Sequence, residues 1–314
     1  MKKLLNLLKF LFLALGLVLI IMTLCFGYRD KPLEELKEIY APAPSQFVEL
    51  DDMNVHYRDQ GPVSDSIPIV LIHGTGASLH TFEKWAKGLD SSHRVISMDL
   101  PGYGLTGPFP NRDYSIQNYT SFIKDFLDVL QIKECILGGN SLGGHIAWRF
   151  TLDNPTMVEK LILIDASGYP TQSKSRPLAF RIAQIPILKQ LLTFITPPFI
   201  ARSSVENVYA DKSKVNDALV KRYFDLTLRK GNRQAFVDRL NTEGEKSPYE
   251  RVKNIQQRTL VLWGQEDKLI PIDVAKNFQV DLPNDSLVIL PHVGHVPMEE
   301  SPKESLDAVL SFLK

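Results

Sequence analysis

The feature that most constrains the fold is a short glycine-rich turn in the middle of the chain. It reads Gly139-Asn140-Ser141-Leu142-Gly143 and comes directly after the apolar run Cys135-Ile136-Leu137. The stretch His145 to Phe150, which favours a helix, follows it. A strand, a sharp turn and a helix in this order strain the serine backbone and lift its hydroxyl clear of the sheet. The glycines, with Gly144, allow the strand and the helix to approach closely.

Length and composition limit the classes to which the chain can belong. Its 314 residues suffice for one large α/β domain with an insertion, or for two small domains. Lys plus Arg and Asp plus Glu number 36 each, so the basic excess of a nucleic-acid-binding protein is missing and no nucleic-acid partner is expected. The two cysteines, Cys25 and Cys135, do not make a disulfide framework, and no cluster of Cys and His residues predicts a metal site.

The N-terminus carries a long apolar segment. Lys2, Lys3 and Lys9 precede Phe10 to Gly27, a stretch of 18 residues without a charge. As a helix it measures about 27 Å, close to the thickness of a hydrocarbon core of about 30 Å. A secretory signal has a shorter apolar region and a cleavage site of small residues, which Thr23 to Phe26 do not provide. We therefore predict a transmembrane anchor over residues 10–27, with a cleaved signal sequence as the alternative.

The distribution of basic residues predicts the orientation of this anchor. The lysines in residues 1–9 favour a cytoplasmic N-terminus, although Arg29 and Lys31 follow the span. The catalytic part is then expected outside the cytoplasm, on the periplasmic side in a bacterium.

After a predicted linker over residues 28–46, apolar runs alternate with helical patterns. The pattern changes near Gly168, is helical to about residue 254, and then alternates again. Strands that alternate with helices indicate a mostly parallel central sheet with helices on both faces. We therefore predict an α/β core in two parts, residues 47–168 and 255–314, with a helical cap over residues 169–254.

Two further residues follow predicted strands and can complete a catalytic triad with Ser141. Asp267 follows the strand Thr259 to Trp263, and His295 follows the strand Ser286 to Leu290. The carboxyl ends of parallel strands meet at one edge of a sheet, where ligand sites form. Serine acyl transfer needs a nucleophile, a base and an acid that orients the base. We predict these roles for Ser141, His295 and Asp267, with Asp165, after another strand, as the alternative acid.

An oxyanion that develops during acyl transfer needs backbone donors. The N–H of Leu142, directly after the nucleophile, is one candidate. The other is expected in the turn His73-Gly74-Thr75-Gly76, and we predict the N–H of Thr75, with Gly76 as the alternative.

Together these motifs resemble the α/β-hydrolase family from about Phe47 to Lys314. The matching stretches are His73 to Gly76, Asp99-Leu100-Pro101-Gly102-Tyr103-Gly104, Gly139 to Gly144, Gly264 to Asp267, and Gly294-His295. Gly138 to Ser141 and Gly294 to Met298 resemble bacterial membrane-associated lipases and esterases, and monoacylglycerol-lipase-like serine hydrolases. The resemblance implies the α/β-hydrolase fold with a helical cap, cleavage of lipid-like carboxylic esters, and no metal or organic cofactor.

Two other functions stay open. Gly139 to Gly144 also resembles carbon–carbon bond hydrolases that act on ring-cleavage dienones. Those enzymes usually have Pro-Gly-Ala after the oxyanion loop and Trp after the histidine, whereas this chain has Ala77-Ser78-Leu79 and Val296. A non-catalytic binding protein on a hydrolase fold is the third candidate, and the presence of all three triad residues argues against it.

The first part of the predicted cap is basic and apolar. Residues 168–202 contain no acidic residue. The basic residues are Lys174, Arg176, Arg181, Lys189 and Arg202, and the apolar ones are Leu178, Phe180, Ile182, Ile185, Ile187, Leu188, Leu191, Leu192, Phe194, Ile195, Phe199 and Ile200. Such a segment suits a cap whose apolar face covers the active site. A second hypothesis is that part of it contacts anionic lipid headgroups, so that the membrane is a partner of both the anchor and the cap.

Overall fold

The structure of the protein, a computed structural model, describes residues 1–186, 188–242 and 247–314. Ile187 and residues 243–246 of the predicted cap lie outside the described residues. The strands are β1 (Ser45–Leu50), β2 (Met53–Gln60), β3 (Ile69–Ile72), β4 (Val95–Met98), β5 (Cys135–Asn140), β6 (Val158–Ile164), β7 (Arg258–Gly264) and β8 (Asp285–Leu290). The α-helices are α1 (Lys2–Phe26), α2 (Leu33–Tyr40), α3 (Glu83–Leu89), α4 (Ile116–Val129), α5 (Leu142–Asp153), α6 (Leu178–Ala183), α7 (Leu188–Leu191), α8 (Pro198–Val208), α9 (Asp217–Thr227), α10 (Asn232–Leu240), α11 (Asp273–Asp281), α12 (Pro297–Glu300) and α13 (Pro302–Leu313).

The strands of the described residues form one sheet in the order β1-β2-β4-β3-β5-β6-β7-β8. Strand β2 runs antiparallel to both β1 and β4, and the other neighbours are parallel. The mostly parallel sheet expected from the sequence is therefore confirmed. The strand order changes direction at β3 and β5, so the loops after these two neighbouring strands border a crevice at the carboxyl edge, where ligands bind in open α/β sheets.

Apolar residues cover both faces of the sheet. Along β3, Ile69 and Leu71 pack on the face that also holds α3 and α13, whereas Val70 and Ile72 pack on the face of α4, α5 and α11. All four are fully buried. Because successive side chains of a strand point to opposite faces, an uninterrupted apolar run is the sequence signature of a strand buried on both sides.

A long helical segment separates two strands that are neighbours in the sheet. Strands β6 and β7 pair in parallel, but residues 165–257, which we call the helical insertion, lie between them in sequence. Helices α6 to α10 belong to it. The insertion contains the whole of the predicted cap, residues 169–254.

The N-terminal apolar segment forms a helix longer than the predicted span. Helix α1 has 25 residues, none of them buried, and an 18-residue window of it has a mean hydropathy of 2.7. It is long and apolar enough to cross a membrane. A signal sequence passes the same test, so length and composition alone do not separate an anchor from a signal.

Residues 28–46, predicted as a linker, are packed onto the rest of the chain. Helix α2 buries Leu36 completely against Leu105 and Leu226. The backbone of Lys31 accepts a hydrogen bond from Lys230 N–H (2.8 Å) and donates one to the carbonyl of Leu228 (2.7 Å). Strand β1 begins at Ser45, slightly before the predicted start of the core at residue 47. This segment is therefore part of the folded body rather than a free tether.

Candidate active site

Ser141 occupies the sharp turn between β5 and α5. Its backbone has φ 55° and ψ −114°, and residues with a side chain rarely adopt such a positive φ. Glycine is required beside it, because a Cβ at Gly139 would collide with the carbonyl of Gly143, and one at Gly143 with the carbonyl of Ile72. The strand–turn–helix expected from the pentapeptide is present in the structure.

Backbone hydrogen bonds hold this strained turn in place. Ser141 N–H donates to the carbonyl of Ile164 at the end of β6 (3.0 Å), and the Ser141 carbonyl accepts from Ser167 N–H (3.0 Å). The turn is thus tied to the neighbouring strand, and its conformation does not depend on the pentapeptide alone.

His295 and Asp267 form a buried pair. His295 Nδ1 lies 2.6 Å from Asp267 Oδ2, and each residue is only 4% exposed. The other carboxylate oxygen, Oδ1, accepts the N–H groups of Leu269 (2.8 Å) and Ile270 (3.0 Å). The carboxylate therefore fixes the proton of the ring on Nδ1 and leaves Nε2 free to act as a base.

Ser141 and His295 line the same cavity. Among the contacts of the described residues there is no hydrogen bond from Ser141 Oγ to the imidazole. Catalytic hydrogen bonds are often long without substrate and shorten in the reacting complex. The structure thus brings the three predicted triad residues to one place, without a hydrogen bond between the serine hydroxyl and the histidine ring.

Two residues that the sequence analysis did not single out position the loop of His295. Asn140, directly before the serine, donates from Nδ2 to the backbone carbonyl of His295 (3.0 Å) and to that of Ile164 (3.2 Å). Glu300, 3% exposed, accepts the N–H of Gly294 (2.7 Å). The sequence offered one usable signal, the amide side chain of Asn140 inside the serine motif.

Glu300 also ties this loop to the helical insertion. Its carboxylate accepts the N–H groups of Ala210 (3.2 Å) and Asp211 (2.7 Å), just after α8. The N–H of His295 donates to the carbonyl of Val208 (2.8 Å). The end of α8 and the loop of His295 therefore form one hydrogen-bonded unit.

The two predicted oxyanion donors border the serine. Leu142 is the first residue of α5, so its N–H has no acceptor within the helix. Thr75 lines the cavity beside Ser141. His73 braces the loop of Thr75 from below: its Nδ1–H donates to the carbonyl of Gly74 (2.8 Å), and its Nε2 accepts from Leu100 N–H (3.0 Å). Burial lowers the pKa of His73, which keeps its ring neutral in this bridging role.

Asp165, the alternative acid, lies close to the pair. A carboxylate oxygen of Asp165, a carboxylate oxygen of Asp267 and a ring nitrogen of His295 all lie within 4.8 Å of one another. However, the hydrogen bond of His295 Nδ1 goes to Asp267. The geometry therefore favours Asp267 as the residue that orients the ring.

The cavity above the serine is mainly apolar. Much of its wall comes from the helical insertion, through Pro177, Ala179, Phe180, Leu192, Ile200, Ala201, Val205, Val208, Phe224, Leu226 and Phe236. Arg233 also lines it, but its guanidinium donates to Asp30 Oδ1 (2.7 Å) and to Thr196 Oγ1 (3.0 Å). Such a lining suits an apolar ligand group.

The fold and the geometry of the site agree with a comparison against protein families. A model of the alpha/beta hydrolase fold matches residues 67–302. The chain belongs to the α/β-hydrolase family. It thus has the fold of an enzymatic hydrolase, and the proteins to which it is similar carry the names of different hydrolases.

Three proteins illustrate the range. An uncharacterized hydrolase of Bacillus subtilis, YugF, is 28% identical, over 87% of this chain and 99% of its own. A 2-hydroxy-6-oxononadienedioate/2-hydroxy-6-oxononatrienedioate hydrolase of Pseudomonas putida is 28% identical, over 84% and 92%. The crystal structure of a membrane phospholipase A, a bacterial virulence factor, superposes with a TM-score of 0.73 at 25% identity and covers 100% of this α/β-hydrolase and 98% of its own chain.

Proposed function

We propose that this α/β-hydrolase is a serine hydrolase that cleaves carboxylic esters with apolar acyl groups. The observation that carries the proposal is the combination of the buried His295–Asp267 pair with Ser141 in the wall of an apolar cavity. Ester hydrolysis needs a base beside the serine, and an apolar acyl chain needs a dry pocket.

In this mechanism Ser141 Oγ attacks the ester carbonyl while His295 Nε2 takes its proton. The carbonyl oxygen gains the negative charge and accepts hydrogen bonds from the N–H groups of Leu142 and Thr75, each typically contributing about 3 kcal/mol. The ester C–O bond then breaks, and the imidazolium returns its proton to the leaving alcohol. A water molecule, deprotonated by His295, then attacks the acyl carbonyl, and the imidazolium returns this proton to Ser141 Oγ as the acid is released.

The second candidate is the cleavage of carbon–carbon bonds in ring-cleavage dienones, favoured by the Pseudomonas putida relative. By its name that substrate is a dioate, and two carboxylates would need cationic partners in the pocket. Among the described residues that line the cavity, Arg233 is a cation whose guanidinium is engaged by Asp30 and Thr196. The apolar wall therefore supports esters as substrates.

A direct comparison of substrates tests the proposal. We expect the protein to hydrolyse a chain-length series of p-nitrophenyl esters and a monoacylglycerol, with Ser141→Ala as the control for each. Turnover of a dienone together with no ester turnover would move the function to the second candidate. A fluorophosphonate probe decides the third, since a non-catalytic binding protein would not be labelled at Ser141.

We also propose that α1 is retained as a membrane anchor, with a cytoplasmic N-terminus and the catalytic part on the other side. The C-terminal end of α1 is bound to the helical insertion. Gly27 forms an antiparallel bridge with Ile195, and Thr196 N–H donates to the carbonyl of Phe26 (2.9 Å). The superposition with the similar membrane phospholipase A covers the whole of this chain, α1 included. Protease protection in sealed vesicles of known orientation tests the topology.

The part of the helical insertion beside the C-terminal end of α1 has exposed apolar and basic residues. They support a second contact with the membrane, in addition to that of α1. Phe194 is 52% exposed and Phe199 is 55% exposed, and the Phe199 ring lies 6.4 Å from that of Phe26. Lys174, Arg176 and Arg181 are exposed in the same segment. Because α1 would fix its own end at the bilayer surface, the phenylalanines beside that end would meet the interface, and the cations would meet anionic headgroups.

Tryptophan quenching measures this contact in the full chain. We expect Phe194→Trp in anionic vesicles to be quenched by brominated lipids. The matched control is Val280→Trp on α11, which is 82% exposed. The natural Trp85, Trp148 and Trp263 are fully buried and give both variants the same background. Equal quenching at the two positions would contradict a membrane contact of the insertion.

A further inference from the structure

Two buried carboxyl groups share the corner of the site behind His295. Asp165 is 0% exposed and Asp267 is 4% exposed. A carboxylate oxygen of Asp165 and one of Asp267 lie within 4.8 Å of each other. Two carboxylates that are close together and shielded from water do not both stay ionised, because each destabilises the charge of the other. One of them must therefore hold a proton, and the hydrogen bonds around them show which.

Asp267 is surrounded by donors. Its carboxylate accepts from Leu269 N–H, Ile270 N–H and His295 Nδ1–H. A carboxylate with several N–H donors is stabilised in its charged form. The negative charge therefore belongs on Asp267.

Asp165 has the opposite environment. Its Oδ1 accepts one hydrogen bond, from Gly264 N–H (3.0 Å), while Oδ2 is buried and has no hydrogen-bond partner among the described residues. An unpaired buried oxygen is costly, but a protonated Oδ2 becomes a donor, and a carboxylate oxygen of Asp267 lies within 4.8 Å of a carboxylate oxygen of Asp165.

The charges that face Asp165 act in the same direction. Burial raises the pKa of Asp165 well above its usual range, and the negative charges of Asp267 and, more weakly, of Glu300 raise it further. The hydrogen bond from Gly264 N–H acts against this shift. His295 is the third polar group at this corner.

We propose that Asp165 is a neutral carboxylic acid whose Oδ2–H donates a hydrogen bond to Asp267, and that it is a positioning residue for the carboxylate that orients His295. Its role in turnover rests on the proposed function, whereas its protonation state does not. The interaction adds a donor to Asp267 without adding a second negative charge to the site.

Substitution by asparagine is the decisive change. In Asp165→Asn the amide N–H₂ replaces the O–H donor and the amide oxygen still accepts from Gly264, so we expect kcat/KM within about tenfold of the unmodified protein. Asp165→Leu keeps the branched shape in a larger side chain but has no donor, and we expect it to lower kcat with little change in KM. Asp267→Asn is the reference, with an expected loss in kcat of about 10⁴-fold because the ring adopts the wrong tautomer. If Asp165→Asn lost as much activity as Asp267→Asn, the charge of Asp165 would be required and the inference would fail.

An infrared measurement tests the protonation state independently of activity. A protonated carboxyl group has its own C=O stretch, distinct from that of a carboxylate. We expect the difference spectrum between the unmodified protein and Asp165→Asn at neutral pH to show this band, and Ser141→Ala to retain it. If the band is present but no ester is cleaved, the proposed function alone fails. If a carboxylate band is found in its place, the inference fails even where esters are hydrolysed, and this result does not depend on whether Asp165→Leu folds.

Discussion

Asn140 Nδ2 lies 3.0 Å from the backbone carbonyl of His295, a residue 155 positions further along the chain. This hydrogen bond joins the end of β5, next to Ser141, to the loop of His295. The same amide also donates to the carbonyl of Ile164. A single buried side chain thus helps to set the distance between Ser141 and His295, two residues that are not hydrogen-bonded to each other in the structure.

We expect Asn140→Ala to lower kcat by about 10- to 100-fold with little change in KM, because small misplacements of catalytic groups have effects of this size. The melting temperature should fall too, since each hydrogen bond contributes about 1 kcal/mol. Steady-state kinetics with a short-chain ester and a thermal melt measure both. The matched control is Asn277→Ala on the exposed side of α11, which should change neither. An unchanged kcat in Asn140→Ala would show that the loop of His295 is positioned by other contacts.

Ser141→Ala should abolish covalent labelling by a fluorophosphonate and lower kcat by at least about 10⁴-fold, as expected when a triad loses its nucleophile. The melting temperature should be unchanged or higher, because Ser141 is only 9% exposed and its hydroxyl makes no hydrogen bond to the imidazole. Labelling, kinetics and melting together separate a catalytic loss from unfolding. Substantial ester turnover by this variant would refute the assignment of the nucleophile.

Glu300→Gln should weaken both the stability and the activity. The carboxylate of Glu300 accepts three backbone N–H groups, those of Gly294, Ala210 and Asp211. An amide has one oxygen to accept and directs its own N–H₂ toward the remaining donors, so we expect a loss of about 1–3 kcal/mol in the free energy of unfolding. The matched control is Glu266→Gln, next to Asp267 and exposed. If both variants had the same melting temperature as the unmodified protein, Glu300 would not be the residue that holds the loop of His295 to the insertion.

The parts of the site whose position could be inferred from the sequence are those fixed by local patterns. Ser141, Asp267 and His295 each follow an apolar run, and parallel topology brings the carboxyl ends of such strands to one edge of the sheet. The steric need for Gly139 and Gly143 is likewise local, because β5 and α5 meet across the turn. For this reason the positions of the loops could be inferred without knowing the full strand order.

The parts that could not be predicted depend on contacts between distant segments. Glu300 looks like one of two ordinary acids in a helix, and only the return of residues 210 and 211 to the loop of His295 gives it a role. Residues 28–46 contain prolines and charges typical of a linker, but Arg233, 5% exposed, binds Asp30 and the carbonyl of Tyr28. A composition argument does not identify these partners, because each is set by the tertiary packing of the helical insertion.

Two buried histidines predict how the stability of the fold changes with pH. Burial lowers the pKa of His80 from 6.5 to about 4, and burial, with the charges of Arg239 and Arg149, lowers that of His145 to about 3. Asp99 and Glu83 act to raise the pKa of His80, while Arg222 and Arg58 act to lower it. Between these values and 6.5 the unfolded chain binds protons that the folded protein does not, so the free energy of unfolding falls as the pH falls.

This stability is therefore complete above about pH 6.5 and is lost progressively toward about pH 4. We expect the melting temperature of the full chain, in one fixed detergent, to fall steadily through this window. Each histidine adds up to about 1.4 kcal/mol per pH unit to the slope. In His80→Gln the group that titrates is gone, so the melting temperature should depend less steeply on pH, even if the variant is less stable overall near neutrality because the contacts of His80 with Ser78 and the carbonyl of Tyr40 have changed. Curves that fall in parallel for the two proteins would show that His80 does not stay neutral in the fold.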